Sequence, residues 1–363
     1  MGKKARAAVL ESPGQIVIKQ FDIPKIGPEE GLLRIEMAGV CASDTKRYYG
    51  SYIVRNLPLI MGHEIYGQIE EIGQIAQKKM NVKKGDHVAV EATIRCGFCN
   101  SCILGNYKNC TESLAYGVSI PASRPPHLWG AYAEYMYLAS GSILHKVPPG
   151  TSPEAGVLIN AVLANGINWT RFEGGISISD TVVIQGVGPQ GIACIIAAKE
   201  SGASPIIATG LTVDKERFKL ATEFGADLTI DVQKQNPVEA LKEITGGGLA
   251  DLVVDVTGAP DALNNALDLV KPRGTVVWAG VTGTETITPV LMDKIVMKTI
   301  TLRGMYDKNI KASQAAIKLI ESRKYPVEKI VTHRFSLEEA EKAIQNAAGK
   351  ITGANPMKTV IIP

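Results

Sequence analysis

Two kinds of hydrophobic pattern divide the chain near residue 156. Before that point, apolar runs of four to nine residues are separated by glycine and proline. Short runs with this punctuation indicate β-strands rather than helices. The predicted strands are Gln15–Lys19, Leu32–Ala38, Glu64–Ile72 and His87–Val90. We therefore expect a compact β-rich domain in the first part of the chain.

After residue 156, apolar runs alternate with segments that have helical spacing, such as Lys215–Phe224 and Pro260–Leu269. This alternation predicts a parallel α/β sheet with helices on both faces. The predicted strands are Thr181–Gln185, Pro205–Thr209, Leu228–Val232, Leu252–Val256, Thr275–Ala279 and Ile300–Arg303.

The last 60 or so residues change pattern again. Two helical segments, Ile310–Ser322 and Ser336–Ala347, precede a final predicted strand at Thr359–Ile362. Ser336 and Glu339 have the spacing of a capping box, which predicts a helix start at this point.

Composition excludes several classes of protein. The chain has 39 Lys and Arg and 36 Asp and Glu, so its net charge is 39 − 36 = +3. This charge is too small to drive nucleic-acid binding by itself. No apolar run approaches the ~20 residues of a membrane span. The first apolar run, Ala7–Leu10, is too short for the core of a signal peptide. We therefore expect a cytoplasmic protein of about two domains, with no membrane or nucleic-acid partner.

Four of the six cysteines crowd into one short stretch. Cys96, Cys99 and Cys102 are each separated by two residues, and Cys110 follows after seven more. Four thiolates at this spacing can surround one tetrahedral zinc ion and leave no position open, which is typical of a structural site. The alternative is a pair of disulfides or idle thiols.

A glycine-rich turn opens the α/β region. Gly186, Gly188, Pro189 and Gly191 follow a β-branched strand and precede an apolar helix, which is the context that a dinucleotide-binding G-x-G-x-x-G motif requires. Gly188 would let a pyrophosphate approach the backbone, and the helix N-terminus would face the anion. The alternative is a tight turn without a ligand.

The next strand is expected to end in an acid that holds the adenosine ribose, but it ends in Gly210. A missing acid removes repulsion against a 2′-phosphate, and Lys215 and Arg217 follow closely. These residues favour NADP slightly over NAD. The alternative is that Lys215 and Arg217 lie on the exposed face of the next helix.

A second group of reactive residues lies in the β-rich region. Cys41, Ser43 and Asp44 follow a predicted strand, and His63 and Glu64 come about twenty positions later. Cys, His and Glu are ligands that a catalytic zinc takes. The Ser43 hydroxyl can relay a proton, and Asp44 can fix the tautomer of His63. Taken singly, Cys41 and His63 could equally be core residues.

In these motifs the chain resembles the zinc-containing medium-chain alcohol dehydrogenases. The stretch from Gly62 to Ala76 fits that family's zinc motif, and the four-cysteine lobe and dinucleotide turn follow in the expected order. The resemblance covers nearly the whole chain. It implies a GroES-like catalytic domain at residues 1–155 and 305–363, a zinc lobe near 94–112, and a Rossmann domain at 156–304.

The resemblance also implies roles for individual residues. Cys41 and His63 would hold the catalytic zinc, and Glu64 would be a ligand that can swing on or off the metal. Ser43 would relay a proton, and Lys358 would face the pyrophosphate. Two zinc ions per chain and a homodimer or homotetramer are expected. The chain departs from the family at the slot of one further zinc ligand, which falls on Asn160 or Ala161.

These features predict an enzyme that moves hydride between a small alcohol, most simply a secondary one, and NAD or NADP. The departure at Asn160 and Ala161 leaves two alternatives. One is a zinc-free NADPH-dependent reductase of quinones or enones with the same fold, and the other is a dinucleotide-binding protein without catalysis. The sequence carries no recognisable code for the substrate.

Overall fold

The computed structural model describes residues 3–51, 56–283 and 286–363. None of the helices in these ranges has the length and apolar character that crossing a membrane requires. The chain forms two compact units, one comprising Met1–Asn160 with Ile317–Pro363 and the other Ala161–Ala316. The domain limits at residues 155 and 305 stay a prediction.

The strands are β1 (Lys4–Ser12), β2 (Gln15–Asp22), β3 (Gly31–Gly39), β4 (Leu59–Ile60), β5 (Glu64–Ile72), β6 (His87–Val90), β7 (Thr93–Ile94), β8 (Leu114–Ala115), β9 (Tyr135–Leu138), β10 (Leu144–Lys146), β11 (Val182–Gln185), β12 (Ile206–Gly210), β13 (Leu228–Asp231), β14 (Ala250–Asp255), β15 (Val270–Trp278), β16 (Thr301–Gly304), β17 (Val331–Ser336) and β18 (Lys358–Ile362).

The α-helices are α1 (Ala42–Tyr48), α2 (Gln74–Met80), α3 (Asn100–Ile103), α4 (Pro153–Leu158), α5 (Ala164–Ile167), α6 (Pro189–Glu200), α7 (Lys215–Glu223), α8 (Pro237–Thr245), α9 (Pro260–Leu269), α10 (Met292–Lys298), α11 (Ile310–Ser322) and α12 (Ala340–Ala347). Short 3₁₀ turns lie at Tyr107–Asn109, Thr212–Asp214, Val327–Ile330 and Leu337–Glu339, and π-helical turns at Ile159–Leu163 and Asn168–Glu173.

The unit of residues 161–316 is built on one parallel sheet. Its strand order is β13-β12-β11-β14-β15-β16, and every neighbouring pair is parallel. The central strand β11 is buried along its whole length, as its unbroken apolar run predicts. This doubly wound order confirms the predicted α/β fold, and it places the glycine-rich turn at the carboxyl end of the first strand, where such sheets bind ligands.

The other unit is mainly antiparallel. One sheet has the order β10-β6-β5-β3-β18-β17, with β9 also paired to β3, and a smaller one has the order β2-β1-β4. Their inner faces share an apolar core that includes Leu33, Ile65, Val88 and Tyr132. The final strand β18 joins this sheet between β3 and β17, so a segment near the end of the chain pairs with residues 38 and 39.

Two elements differ from the sequence-based expectations. Strand β15 begins at Val270 rather than Thr275, because it continues from the end of α9 through an irregular register against β14. The predicted helix Ser336–Ala347 is divided into a 3₁₀ turn and α12. The predicted capping box is confirmed, since the Ser336 amide donates to Glu339 over 3.2 Å.

Candidate functional site

The candidate metal ligands come together because two neighbouring strands carry them. Strand β3 ends at Gly39, β5 begins at Glu64, and their antiparallel register pairs these two residues. Cys41 follows β3 as the residue before α1, and His63 directly precedes β5. One ligand atom each from Cys41, His63 and Glu64 lies within 4.8 Å of the others. The three residues that the sequence suggested thus form one cluster.

Asp44 lies behind this cluster and orients His63. Its carboxylate is fully buried, and its Oδ1 atom lies 3.2 Å from Nδ1 of His63. The Cys41 amide and the Tyr132 hydroxyl each donate to its Oδ2 atom over 3.0 Å. Because Nδ1 faces a carboxylate, Nε2 is the ring nitrogen left for a metal ion. The Ser43 Oγ atom lies 3.4 Å from that Nε2.

The charges of the cluster suit a bound cation. Burial acts to raise the pKa of Cys41, but the facing His63 outweighs it and lowers that pKa below its usual value. Burial acts to lower the pKa of His63, but Asp44 and Cys41 raise it well above 6.5. Both shifts favour a thiolate beside a charged ring, and a zinc ion can take the place of the ring proton. Thiolate, imidazole and carboxylate are donors that zinc takes, so this set fits the metal.

The usual slot for one further ligand holds no suitable donor. The Asn160 side chain is buried, and neither of its polar atoms has a hydrogen-bond partner among the described residues. Ala161 has no donor in its side chain, and its carbonyl accepts from Asn165 over 3.0 Å and from Gln190 over 2.5 Å. Glu64 is therefore the third protein donor of the described cluster, which leaves a fourth tetrahedral position for water or substrate.

The four-cysteine lobe has the geometry of a closed metal site. The sulfur atoms of Cys96, Cys99, Cys102 and Cys110 lie within 4.8 Å of one another, and all are unbridged. Backbone amides of Cys96 and Cys99 donate to the sulfurs of Cys110 and Cys96, each over 3.4 Å. A hydrogen bond from the Cys102 backbone helps to lower the pKa of Cys99 to about 6. Burial instead raises the pKa of Cys102 to about 12. Four sulfur donors gathered in this way fit a structural zinc ion.

A buried carboxylate anchors the lobe to the β-sheet. Glu91 is fully buried and accepts from the Tyr107 hydroxyl over 2.9 Å, and Nε2 of His145 lies 2.8 Å from it. Lys108 Nζ lies 3.5 Å from the same carboxylate. Tyr107 and Lys108 belong to the loop between the third and fourth cysteines, so the network fixes that loop to β10.

The glycine-rich turn fits a phosphate. Gly186 has φ +107°, which favours glycine, and Gly188 is the residue before α6. A Cβ on Gly191 would lie 1.8 Å from the Gly186 carbonyl oxygen, so close packing requires this glycine. A Cβ on Gly188 would meet nothing within 4 Å. The space above Gly188 is thus open at the N-terminus of a twelve-residue helix that begins with Pro189, where an anion is favoured.

The second strand of this sheet ends beside a cavity. Gly210 ends β12, and a cavity of about 380 Å³ follows it, lined by Lys215 and Lys234. Arg217 is held by Asp214 over 2.9 Å. Of the two cations that the sequence suggested, Lys215 therefore lines the cavity. The remaining lining residues are Thr212, Phe218, Thr229, Asp231 and Gln235.

Lys358 contacts one member of the metal-ligand cluster, Glu64. It is buried, and its ammonium donates to Glu64 over 2.6 Å and to the Val40 carbonyl over 3.0 Å. Its contact with a pyrophosphate stays a prediction. Sequence reasoning missed this ion pair and the Tyr132 hydroxyl on Asp44, because 294 and 88 positions separate the partners and no local motif marks them.

Comparison with known proteins indicates the same family as the sequence motifs do, and the similarity extends over the whole chain. Residues 27–149 match the family described as "Alcohol dehydrogenase GroES-like domain", and residues 189–322 match "Zinc-binding dehydrogenase". A probable alcohol dehydrogenase of Mycobacterium tuberculosis is 39% identical, over 100% of this chain and 99% of its own. An erythritol/L-threitol dehydrogenase of Mycolicibacterium smegmatis is 31% identical, over 99% and 98%.

Among solved structures, an alcohol dehydrogenase from Thermotoga maritima is similar to this chain with a TM-score of 0.89. The two share 29% sequence identity, and the match covers 100% of both chains. The folds therefore correspond from end to end.

The two glycines of the turn allow a matched test of ligand binding. Gly188→Ala should leave thermal stability nearly unchanged, since its Cβ meets only open space, but should weaken dinucleotide binding about tenfold or more, the equivalent of roughly 1.4 kcal/mol. Gly191→Ala should instead destabilise the fold by about 1–3 kcal/mol, because its Cβ overlaps the backbone. Thermal unfolding and titration with NAD(P)H fluorescence measure the two effects. Wild-type affinity in Gly188→Ala would contradict the assignment.

Proposed function

Because this chain belongs to the family of zinc-containing alcohol dehydrogenases, we propose that it exchanges hydride between a secondary alcohol and a nicotinamide dinucleotide. Its activity is that of a zinc-dependent alcohol dehydrogenase, an oxidoreductase acting on CH–OH groups. The observation that carries the proposal is the cluster of Cys41, His63 and Glu64, with Asp44 behind the imidazole and Ser43 beside it.

Each residue of the cluster has a distinct part in this chemistry. Cys41, His63 and Glu64 would hold a zinc ion, which supplies Lewis acidity that lowers the pKa of an alcohol hydroxyl. A nicotinamide ring supplies the hydride acceptor. Asp44 keeps His63 in one tautomer. The Ser43 Oγ atom takes the substrate's proton and passes its own to water, since this side chain is partly exposed.

Similarity to a polyol dehydrogenase supports a substrate that carries several hydroxyl groups. The erythritol/L-threitol dehydrogenase is 31% identical over nearly the full length of both chains, and its name places its substrates among the polyols. Such substrates contain secondary hydroxyl groups, and the proposal is that a secondary group reacts here. A zinc-free reductase or a non-catalytic dinucleotide-binding protein would have no use for the metal-binding donors of Cys41 and His63.

Ser43→Ala tests the proton relay. We expect kcat for 2-butanol to fall about 100-fold or more with little change in KM, because a relay acts chiefly in the transition state. Thr45→Ala is the matched control: its hydroxyl lies on the same helix but donates to the Ala42 carbonyl over 2.8 Å. It should keep wild-type rates. Unchanged turnover in Ser43→Ala would reject the relay, and faster wild-type turnover of 1-butanol would reject the preference for secondary alcohols.

We further propose that NADP is preferred over NAD. Gly210 offers no carboxylate at the strand end where the ribose is recognised. Lys215 and Lys234 both line the adjoining cavity. The one acid there, Asp231, is engaged by the Thr212 hydroxyl over 2.8 Å and lies 3.2 Å from Lys234. These charges support binding of a 2′-phosphate.

Lys215→Ala tests the cofactor preference. Loss of one charge-assisted contact should raise KM for NADP about tenfold and leave KM for NAD nearly unchanged. Lys219→Ala is the control on the same helix, since that lysine is exposed and paired with Glu216 over 2.8 Å. Steady-state kinetics with both cofactors measure the ratio. An equal change for NADP and NAD in Lys215→Ala would contradict the proposal.

We propose that a second copy of the chain pairs with the free edge of the parallel sheet, giving a homodimer or a tetramer of such pairs. Strand β16 is the last in the sheet order, and an unpaired strand edge can pair with another chain. The helix that precedes this strand in the chain, α10, exposes Val296 and Met297 by 72% and 84%. Exposed apolar side chains of this kind support an interface that includes α10.

We also propose a reducing, cytoplasmic location, which the unbridged state of all six cysteines supports.

A double charge substitution tests this interface. Val296→Glu with Met297→Glu should convert the assembly to monomers, because buried like charges oppose association. Ile178→Glu is the control, since this isoleucine is also exposed but precedes β11, away from β16 in the sheet order. Light scattering after size-exclusion chromatography gives the mass. An unchanged mass for the double variant would contradict the proposed edge.

A further inference from the structure

The Glu64 carboxylate has a second partner besides the metal-ligand cluster. The ammonium of Lys358 donates to its Oε1 atom over 2.6 Å and lies 2.5 Å from its Oε2 atom. Both side chains are almost completely buried, at 6% and 1% exposure. A carboxylate that shares its electron pairs with an ammonium has less to give to a metal ion. The two oxygen atoms of Glu64 would thus contact both the Lys358 ammonium and a bound zinc ion.

Three adjacent strands produce this contact. Strand β18 pairs with β3, which places Val360 opposite Gly39, and β3 pairs with β5, which places Gly39 opposite Glu64. The missing side chain at Gly39 leaves the space that the carboxylate fills, since a Cβ there would lie 2.0 Å from Oε2 of Glu64. Lys358, two residues before Val360, therefore reaches the first residue of β5.

The charge balance shows what this lysine changes. A zinc ion with one thiolate and one carboxylate is neutral, and the charge of Asp44 behind His63 is offset by the Arg47 guanidinium, 3.7 Å from its Oδ1 atom. The ammonium of Lys358 adds one further positive charge beside Glu64. Without it, the buried centre would be less positive, so it would bind the ion more tightly and draw Glu64 closer to it.

We propose that Lys358 is a positioning residue of the zinc centre, whose ammonium holds the Glu64 carboxylate and keeps it a weak, displaceable third ligand. The proposal rests on the proposed function, because it requires zinc at Cys41, His63 and Glu64. A weakly held third ligand would let the coordination shell open for an incoming alcohol while Cys41 and His63 would keep the ion.

A double-mutant cycle on zinc release tests the proposal without reference to activity. Zinc-loaded protein is mixed with a chromogenic chelator, and the release of zinc is followed over time. The kinetic phase that is missing in Cys41→Ala is the release of zinc from the catalytic centre. Lys358→Met should slow this phase about tenfold, since the freed carboxylate binds the ion more firmly. Glu64→Gln should accelerate it. The double variant Lys358→Met/Glu64→Gln should match Glu64→Gln, because the lysine acts only through the carboxylate.

Two further variants guard against effects of folding. Lys358→Arg keeps the positive charge and should release zinc at nearly the wild-type rate. Lys84→Met removes a lysine whose side chain is 73% exposed, and should also behave as wild type. If Lys358→Met does not fold, Lys358→Gln removes the charge while keeping a hydrogen-bond donor and should give the same slowing.

Cobalt(II) substitution gives an independent spectroscopic readout. The visible bands of the cobalt protein report the ligands around the ion, and Lys358→Met should shift them in the wild-type background but not in the Glu64→Gln background. An equal effect in both backgrounds, or none in either, would overturn the proposal. A wild-type chain that lacks the release phase altogether would instead overturn the proposed function, so the two failures are distinguishable.

Discussion

The register of β3 against β5 is the constraint on which the candidate metal centre depends. Pairing of Gly39 with Glu64 brings the segment after one strand beside the start of the other, and so joins Cys41 to His63. Side chains alternate between the faces of a strand, so a slip of one residue would turn Glu64 to the opposite face. The buried apolar residues of both strands, such as Leu33 and Ile65, fix the register. Core packing thereby sets the ligand geometry.

The same arrangement collects buried charges that stabilise each other only as a group. Asp44 faces His63, and Glu64 faces Lys358, with all four side chains largely or completely buried. Removing one member of a buried pair leaves an uncompensated charge, which typically costs about 3–5 kcal/mol. A divalent cation would add positive charge beside the Cys41 thiolate, which has no such buried partner once His63 is neutral and bound to the metal. Metal binding and folding of this region are therefore expected to be coupled.

Local motifs allowed much of this account to be predicted from sequence. The glycine-rich turn and the capping box at Ser336 depend on neighbours within a few residues, so their spacing alone carries the information. The alternation of strands and helices likewise predicts the parallel sheet. In contrast, the contacts of Lys358 with Glu64 and of Tyr132 with Asp44 arise from strand pairing between distant segments. Without the register, neither partner is marked in the sequence.

The most direct test of the central claim, that Cys41, His63 and Glu64 hold a catalytic zinc separate from the four-cysteine lobe, is the zinc content of purified variants. Elemental analysis without added metal or chelator should give two ions per chain in the wild type. Cys41→Ala should keep only the zinc ion of the four-cysteine lobe, and Cys99→Ala should keep only the zinc ion of the catalytic centre. One zinc per chain in the wild type, with no further loss in Cys41→Ala, would contradict the account.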